Sequence, residues 1–306
     1  MSAGGGVKAI VAALGANAGI AVAKFVGFFV TGSSSMLAEA VHSVADTTNQ
    51  GLLLLGRKKS QRAATKEHPF GFGRERYFYS FIVALLLFTL GAAFALYEGI
   101  HKIQHPEELS SVLVAVGILI VAIGLETYSF RTAISESRKI KGELSWWGFI
   151  RQSKNPELPV VLLEDTGALC GLVFALFGVG LAALTGNPVW DGIGTVMIGL
   201  LLGTIAIILI VEMKSLLIGE GAGEGILATI TAALTEGEVQ RVIHIRTEYL
   251  SPDELLVAAK LALTPGMTTS DIADAIDAAE GRVRSRVPEV RLIYLEPDLD
   301  RSTVDR

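Results

Sequence analysis

Along the first two thirds of the chain, long apolar runs alternate with polar stretches. A helix needs about 20 predominantly apolar residues to cross the hydrocarbon core of a bilayer. Six runs fit: Ala9–Thr31, Met36–Leu55, Phe78–Ile100, Val112–Phe130, Val160–Leu184 and Val189–Val211. The first reads as an uncleaved span, because its apolar stretch is too long for a signal peptide and no cleavage site stands out. After Leu217 the pattern changes. The glycine-rich stretch Gly219–Gly225 reads as a hinge. Ile226–Leu234 has helical spacing, Val239–Thr247 and Leu255–Leu263 read as strands turning at Pro252-Asp253, and Val290–Leu295 reads as a last strand. Between them, Ser270 is the candidate cap of a helix whose Ile272, Ile276, Ala279, Val283 and Val287 share one face. The expected architecture is an all-α six-helix transmembrane bundle over residues 1–216, then a cytoplasmic α+β domain of order αββαβ over residues 217–306.

Composition sharpens this division. The 306 residues are 51% hydrophobic with mean hydropathy +0.50, too apolar for an ordinary soluble domain. From Glu220 onward there are 9 Lys and Arg against 16 Asp and Glu, leaving 17 and 15 before that point. An apolar, slightly basic part therefore precedes an acidic, charged one. The single cysteine, Cys170, excludes a disulfide framework and a multi-cysteine metal cluster.

Lys and Arg set the orientation. The stretch after the second span holds Arg57, Lys58, Lys59, Arg62, Lys66, Arg74 and Arg76. The stretch after the fourth holds Arg138, Lys139, Lys141, Arg151 and Lys154. The alternate connections contain only Lys102. Both basic stretches, and with them both termini, are expected on the cytoplasmic side of a bacterial-type cell membrane. Trp146, Trp147, Phe149 and Ile150 suit either an interfacial helix or a loop whose aromatics pack on the soluble part.

Ionisable groups are costly at membrane depth and therefore point to function. The second run carries Glu39, His42, Asp46 and Asn49. Steps of three, four and three place them on one helical stripe, and lipid is the least plausible thing for that stripe to face. His42 and Asp46, one turn apart, can reach a common ion. Imidazole plus carboxylate is a ligand set for a divalent first-row metal. The fifth run supplies Glu164 and Asp165, which diverge by about 100° on a helix, so at most one is centred on such a site unless the helix is distorted. Glu164 is a second ligand, a proton acceptor or an interface residue. Glu98, Glu126 and Asp191 fall near span ends and read as interfacial charges, with lining of an ion path as the alternative. Lys24 is expected to snorkel or to pair with an acid, His101 and His105 to be exposed, and Cys170 to pack.

The stretch Thr31-Gly-Ser-Ser-Ser-Met-Leu-Ala-Glu39-Ala-Val-His42-Ser-Val-Ala-Asp46-Thr-Thr-Asn49-Gln resembles the second-span signature of the cation diffusion facilitator family of zinc transporters. Glu67-His68-Pro-Phe-Gly-Phe-Gly-Arg-Glu-Arg resembles its following loop, Val160-Val-Leu-Leu-Glu-Asp-Thr-Gly-Ala-Leu its fifth span, and Tyr249-Leu-Ser-Pro-Asp-Glu-Leu-Leu-Val-Ala-Ala-Lys its cytoplasmic domain. The likeness is strongest to the subgroup containing the animal mitochondrial zinc exporter. It implies a metallochaperone-like cytoplasmic domain, a homodimer and alternating access with proton antiport. It also implies His42 and Asp46 as the second-span ligands and Asp165 as the second fifth-span ligand. The chain departs from the family where the first fifth-span ligand is usual, which is Val161 here. It departs again at Phe72, where some members have a loop histidine, and at Tyr294, where many have a histidine before Glu296-Pro297. With His244 the only histidine of the cytoplasmic domain, no binuclear site of the usual type is expected there.

The expected function is efflux of a divalent cation, Zn²⁺ first, by proton antiport. His42, Asp46, Asp165 and Glu164 are the metal-site candidates; Glu39 and Asn49 support the site or carry protons. The metal is substrate, with no prosthetic group and no nucleic-acid partner. The rivals are transport of Mn²⁺, Fe²⁺ or Co²⁺, and a membrane metal sensor that moves nothing. An enzyme is not expected: no His-Glu-x-x-His helix, Walker loop or nucleophile constellation is present.

Overall fold

The structure, a computed structural model, describes residues 3–31, 34–106 and 112–298, excepting the side chains of residues 3–5, 31, 34–39, 41 and 42. Two compact units emerge. One comprises residues 1–62 and 75–214, the other residues 63–74 and 215–306.

The first unit is a bundle of long helices. They are α1 (Ala3–Thr31), α2 (Ser34–Ser60), a span made of α3 (Glu75–Leu86), a π-helical segment (Leu87–Ala93) and α4 (Phe94–Gln104), then α5 (Val112–Lys141), α7 (Glu157–Thr185) and α8 (Val189–Ile218). The short α6 (Trp146–Gln152) lies between α5 and α7. Five of the six long rods are apolar enough to cross a membrane by composition alone. The sixth, α2, falls short because it holds the polar stripe and ends on Arg57, Lys58 and Lys59. Polar groups in α2 are tolerable because the helix is covered, packing on α1 and α3.

Small residues bring α4 and α8 close together. A Cβ added at Gly99 would lie 2.7 Å from the Val196 backbone nitrogen, and one at Gly199 would lie 2.8 Å from that of Leu96. Without a hydrophobic drive between helices in lipid, such backbone approach supplies the packing attraction. The segment around Trp146 is helical, capped by Ser145, whose hydroxyl accepts from the Gly148 N–H. Phe149 and Ile150 are buried, whereas Trp146 and Trp147 are exposed.

At the first turns of α3 and α7, Arg76 and Glu157 form a two-pronged ion pair of 2.6 and 2.7 Å, both residues almost wholly buried. It joins two rods whose starts lie at the ends of the basic connections.

The second unit contains α9 (Glu224–Leu234), β1 (Val239–Ser251), β2 (Glu254–Leu263), α10 (Thr269–Arg286) and β3 (Val290–Asp298), in the order αββαβ. The sheet order is β1-β2-β3, with β1 and β2 antiparallel and β2 and β3 parallel. Its core joins alternate β2 residues Leu255, Val257, Ala259 and Leu261 to Ile230 and Leu234 of α9 and Ala279 and Val283 of α10. The cap of α10 is Thr268, not Ser270. Thr268 has an acid three residues on, so its hydroxyl accepts from the Asp271 N–H while the Asp271 carboxylate accepts from the Thr268 N–H. Ser270 has Ala273 at that offset. The buried face of α10 centres on Ala275, Ala279 and Val283, with Ile272 and Ile276 only half-buried. The basic stretch 63–74 belongs to this unit: the Arg74 guanidinium donates to the Glu248 carboxylate, and Gly73 abuts the Leu250 carbonyl.

Breaking the buried pair by Glu157→Ala should cost about 3–5 kcal/mol, because it strands the Arg76 charge. Replacing both partners, Arg76→Met with Glu157→Leu, should cost less than that single change. Thermal unfolding of purified protein checks the order; a double variant less stable than Glu157→Ala contradicts it.

Candidate cation site and path

The membrane unit contains a cavity of 270 Å³ whose lining includes Asp46 of α2, Glu164 and Asp165 of α7 and Glu126 of α5. With Glu98 and Asp191, six carboxylates border one space within an apolar bundle.

The two adjacent acids of α7 serve different neighbours. Glu164, 7% exposed, accepts from the Gln50 amide at 2.8 Å and from the Asn49 amide at 3.3 Å, both on α2. The Gln50 carbonyl in turn accepts from the Asn17 amide of α1 at 3.2 Å. One polar chain therefore ties α1, α2 and α7 together. Asp165, 1% exposed, accepts instead from the Ser129 hydroxyl of α5 at 2.7 Å. Roughly 100° between consecutive helical residues accounts for the divergence. Each Glu164 oxygen keeps a lone-pair direction beyond its amide bond.

Asp46 is half-buried at the cavity wall. His42 and Glu39 lie on α2 by backbone position, but their side chains are outside the described residues. Val161 is fully buried and brings no donor to the site. Among the described residues, no three His, Cys, Asp or Glu side chains form a ready metal cluster.

Three acids read from sequence as interfacial charges, Glu98, Glu126 and Asp191, also line the cavity, and Asp191 does lie in the first turn of α8. For Glu126 the reason is helix length. The apolar run ends near Phe130, but α5 continues to Lys141, so Glu126 sits halfway along it and is 3% exposed. Asp191 pairs with Lys102 at 3.0 Å across α8 and α4. Lys24 also lines the cavity. Cys170 is exposed rather than packed: five residues beyond Asp165, it is turned by about 140° to the opposite side of α7. His101 and His105 are exposed, their rings 5.0 Å apart.

Sequence reasoning did not single out Gln50, Ser129, Asn17 or Glu157. Gln50 was legible as a polar residue in an apolar run, next to the stripe. Ser129 carried no comparable signal, since serine satisfies its own helix backbone so readily.

In the second unit, His68 packs against Phe72 with ring centres 4.6 Å apart and planes tilted by 32°. His244 is exposed, and its Nε2 accepts from Arg246 at 3.0 Å. Glu296 is occupied by the Lys260 ammonium at 3.0 Å, and this contact, with Asp298 adding to it, holds that ammonium above its ordinary range.

Residues 10–218 match the cation efflux transmembrane domain, well over half of the chain. The chain belongs to the cation efflux family. Within that family it is similar to the proton-coupled zinc antiporter SLC30A9, mitochondrial, of Xenopus laevis, 39% identical over 224 residues, which are 72% of this chain and 40% of that protein. Metal tolerance protein C4 of Arabidopsis thaliana is 28% identical over 257 residues, 83% of this chain and 56% of that one. Magnetosome protein MamB of Paramagnetospirillum magneticum is 24% identical over 269 residues, 87% and 85% of the two chains. The chain thus spans 40% of the length of the Xenopus relative. Cation efflux membership makes this a multi-pass membrane protein.

Gln50 bonds both Glu164 and Asn17, so Gln50→Ala should destabilise the bundle by about 1–3 kcal/mol, and by more than Asn17→Ala does. Glu164→Ala added to Gln50→Ala should cost less than the sum of the singles, because they share a bond. Thermal unfolding of these four variants beside the wild type decides; strict additivity contradicts the coupling.

Proposed function

We propose that this cation efflux protein moves a divalent cation, Zn²⁺ first, out of the cytoplasm in exchange for H⁺ by alternating access. The observation that carries the reading is that Asp46 and Asp165, on different helices, border one cavity. Acids gathered in apolar surroundings require neutralisation, and a divalent cation or protons supply it. Metal ligands must shed protons to bind, so cation entry and proton release are linked in both directions. That linkage is the physical content of antiport.

In this reading Asp46, Asp165 and His42 bind the ion, and His42 contributes the nitrogen donor one turn before Asp46. Glu164, oriented by Asn49 and Gln50, supports the site with its remaining lone pairs; Glu39 lies on the same stripe and serves proton movement. In this reading the basic connections lie on the cytoplasmic side, and both termini with them. Residues 1–216 carry the transport path, and residues 217–306 mediate a homodimer. The names of the SLC30A9 relatives support zinc and proton coupling. A second reading, with Mn²⁺, Fe²⁺ or Co²⁺ as cargo, is favoured by Val161, because the donors bordering the cavity are then mainly oxygen.

Flux into liposomes against an imposed pH gradient tests the proposal. Asp46→Ala and Asp165→Ala should each abolish zinc flux while the protein stays folded. Normal flux in either variant overturns the ligand assignment.

A further inference from the structure

Glu126 is a deeply buried acid that the reading above leaves without a task. It is 3% exposed, lines the cavity and makes no hydrogen bond or ion pair with any described residue. It feels the fields of Asp165 and Asp46, which repel it, and of Lys24, which attracts it. Every other deeply buried acid bordering the space is held: Glu164 by two amides, Asp165 by Ser129. A carboxylate facing a cavity in apolar surroundings, with no bonded partner among the described residues, is costly, and a cation in the cavity offsets that cost.

Its position says which partner. Glu126 precedes Ser129 by three residues and so shares its face of α5, about 4.5 Å further along the axis. That step leads away from the basic end of α5, towards the part of the cavity lined by Glu98, Lys102 and Asp191. Ser129 marks the level of Asp165, so Glu126 lies one turn beyond the proposed site. The Lys102–Asp191 pair lies further on. A cation passing Asp46 and Asp165 in that direction meets Glu126 next.

We infer that Glu126 is a cation ligand of the path, an oxygen donor from α5 that takes the divalent ion on its way between the Asp46 and Asp165 pair and the Glu98–Asp191 end of the cavity. This rests on the reading of Asp46 and Asp165 as the cation site. The carboxylate also supplies an anionic donor to a path in which Val161 supplies none, and so biases the transporter towards ions that accept oxygen ligation.

The test uses the full-length chain in liposomes, with zinc and manganese as probes and with Glu126→Gln, Glu126→Asp and Asp165→Ala beside the wild type. Size-exclusion profile and melting temperature establish folding. Glu126→Gln keeps the shape and loses the charge. It should raise the zinc concentration for half-maximal flux by about tenfold or more, the scale seen when even an outer partner of a metal site is lost. Glu126→Asp should restore most of that shift while altering the competition between manganese and zinc. An unchanged zinc concentration dependence in folded Glu126→Gln overturns the inference. So does a change confined to the pH dependence of flux, which would make Glu126 a proton carrier. If Glu126→Gln does not fold, Glu126→Asp decides alone, and unchanged metal competition overturns the inference. Loss of flux in Asp165→Ala with wild-type behaviour in Glu126→Gln sinks only this inference. Normal flux in Asp165→Ala sinks the reading beneath it.

Discussion

Carboxylates inside an apolar bundle must be neutralised, paired or hydrogen-bonded, and the arrangement of this membrane unit follows from how each acid meets that demand. Glu157 is paired with Arg76 where α3 and α7 begin. Glu164 is held by two amides of α2. Asp165 has a single hydroxyl, and Glu126 has no bonded partner among the described residues. The sequence of decreasing satisfaction runs from helix ends that hold the bundle together to groups that face an open space. Well-satisfied acids serve structure, and poorly satisfied ones are where an incoming charge gains most.

The same demand explains why α2 is not an ordinary span. Its stripe is too polar to face lipid; α2 packs on α1 and α3, and the Asn17–Gln50–Glu164 chain fixes it against α7. The polar chain sets which way α2 and α7 face each other, and with that it brings Asp46 and Asp165 to one cavity. Between α4 and α8, close glycine-lined backbone contact is supplemented by the Lys102–Asp191 ion pair. Hydrogen-bonded geometry where the acids of α2 and α7 meet, beside close glycine contact between α4 and α8, is compatible with one group of helices moving against another.

Much of the architecture was legible, for identifiable reasons. Apolar runs marked the spans because the bilayer thickness sets their length, and the change of period after Leu217 marked the αββαβ unit. The stripe of Glu39, His42, Asp46 and Asn49 was visible because helical spacing needs no tertiary knowledge. What hydropathy hid was helix continuation: α5 runs on past its apolar run to Lys141, and this moved Glu126 from an expected boundary to the middle of a rod. Glu157 lay just outside an apolar run and looked like loop, yet it starts α7 and is buried. Ser129 and Gln50 gained their meaning from acids on other helices, which no local pattern encodes. Thr268 was recoverable in principle, since only that hydroxyl of its run has an acid three residues on.

The central claim is that Asp46 and Asp165 share one divalent ion inside the bundle. The most direct measurement is an experimental structure of the zinc-loaded protein in lipid. The account predicts metal density bonded to oxygens of both Asp46 and Asp165, with the amides of Asn49 and Gln50 still on Glu164. Zinc bound elsewhere, or bound to Glu164 with those amides displaced and Asp165 still on Ser129, would contradict it.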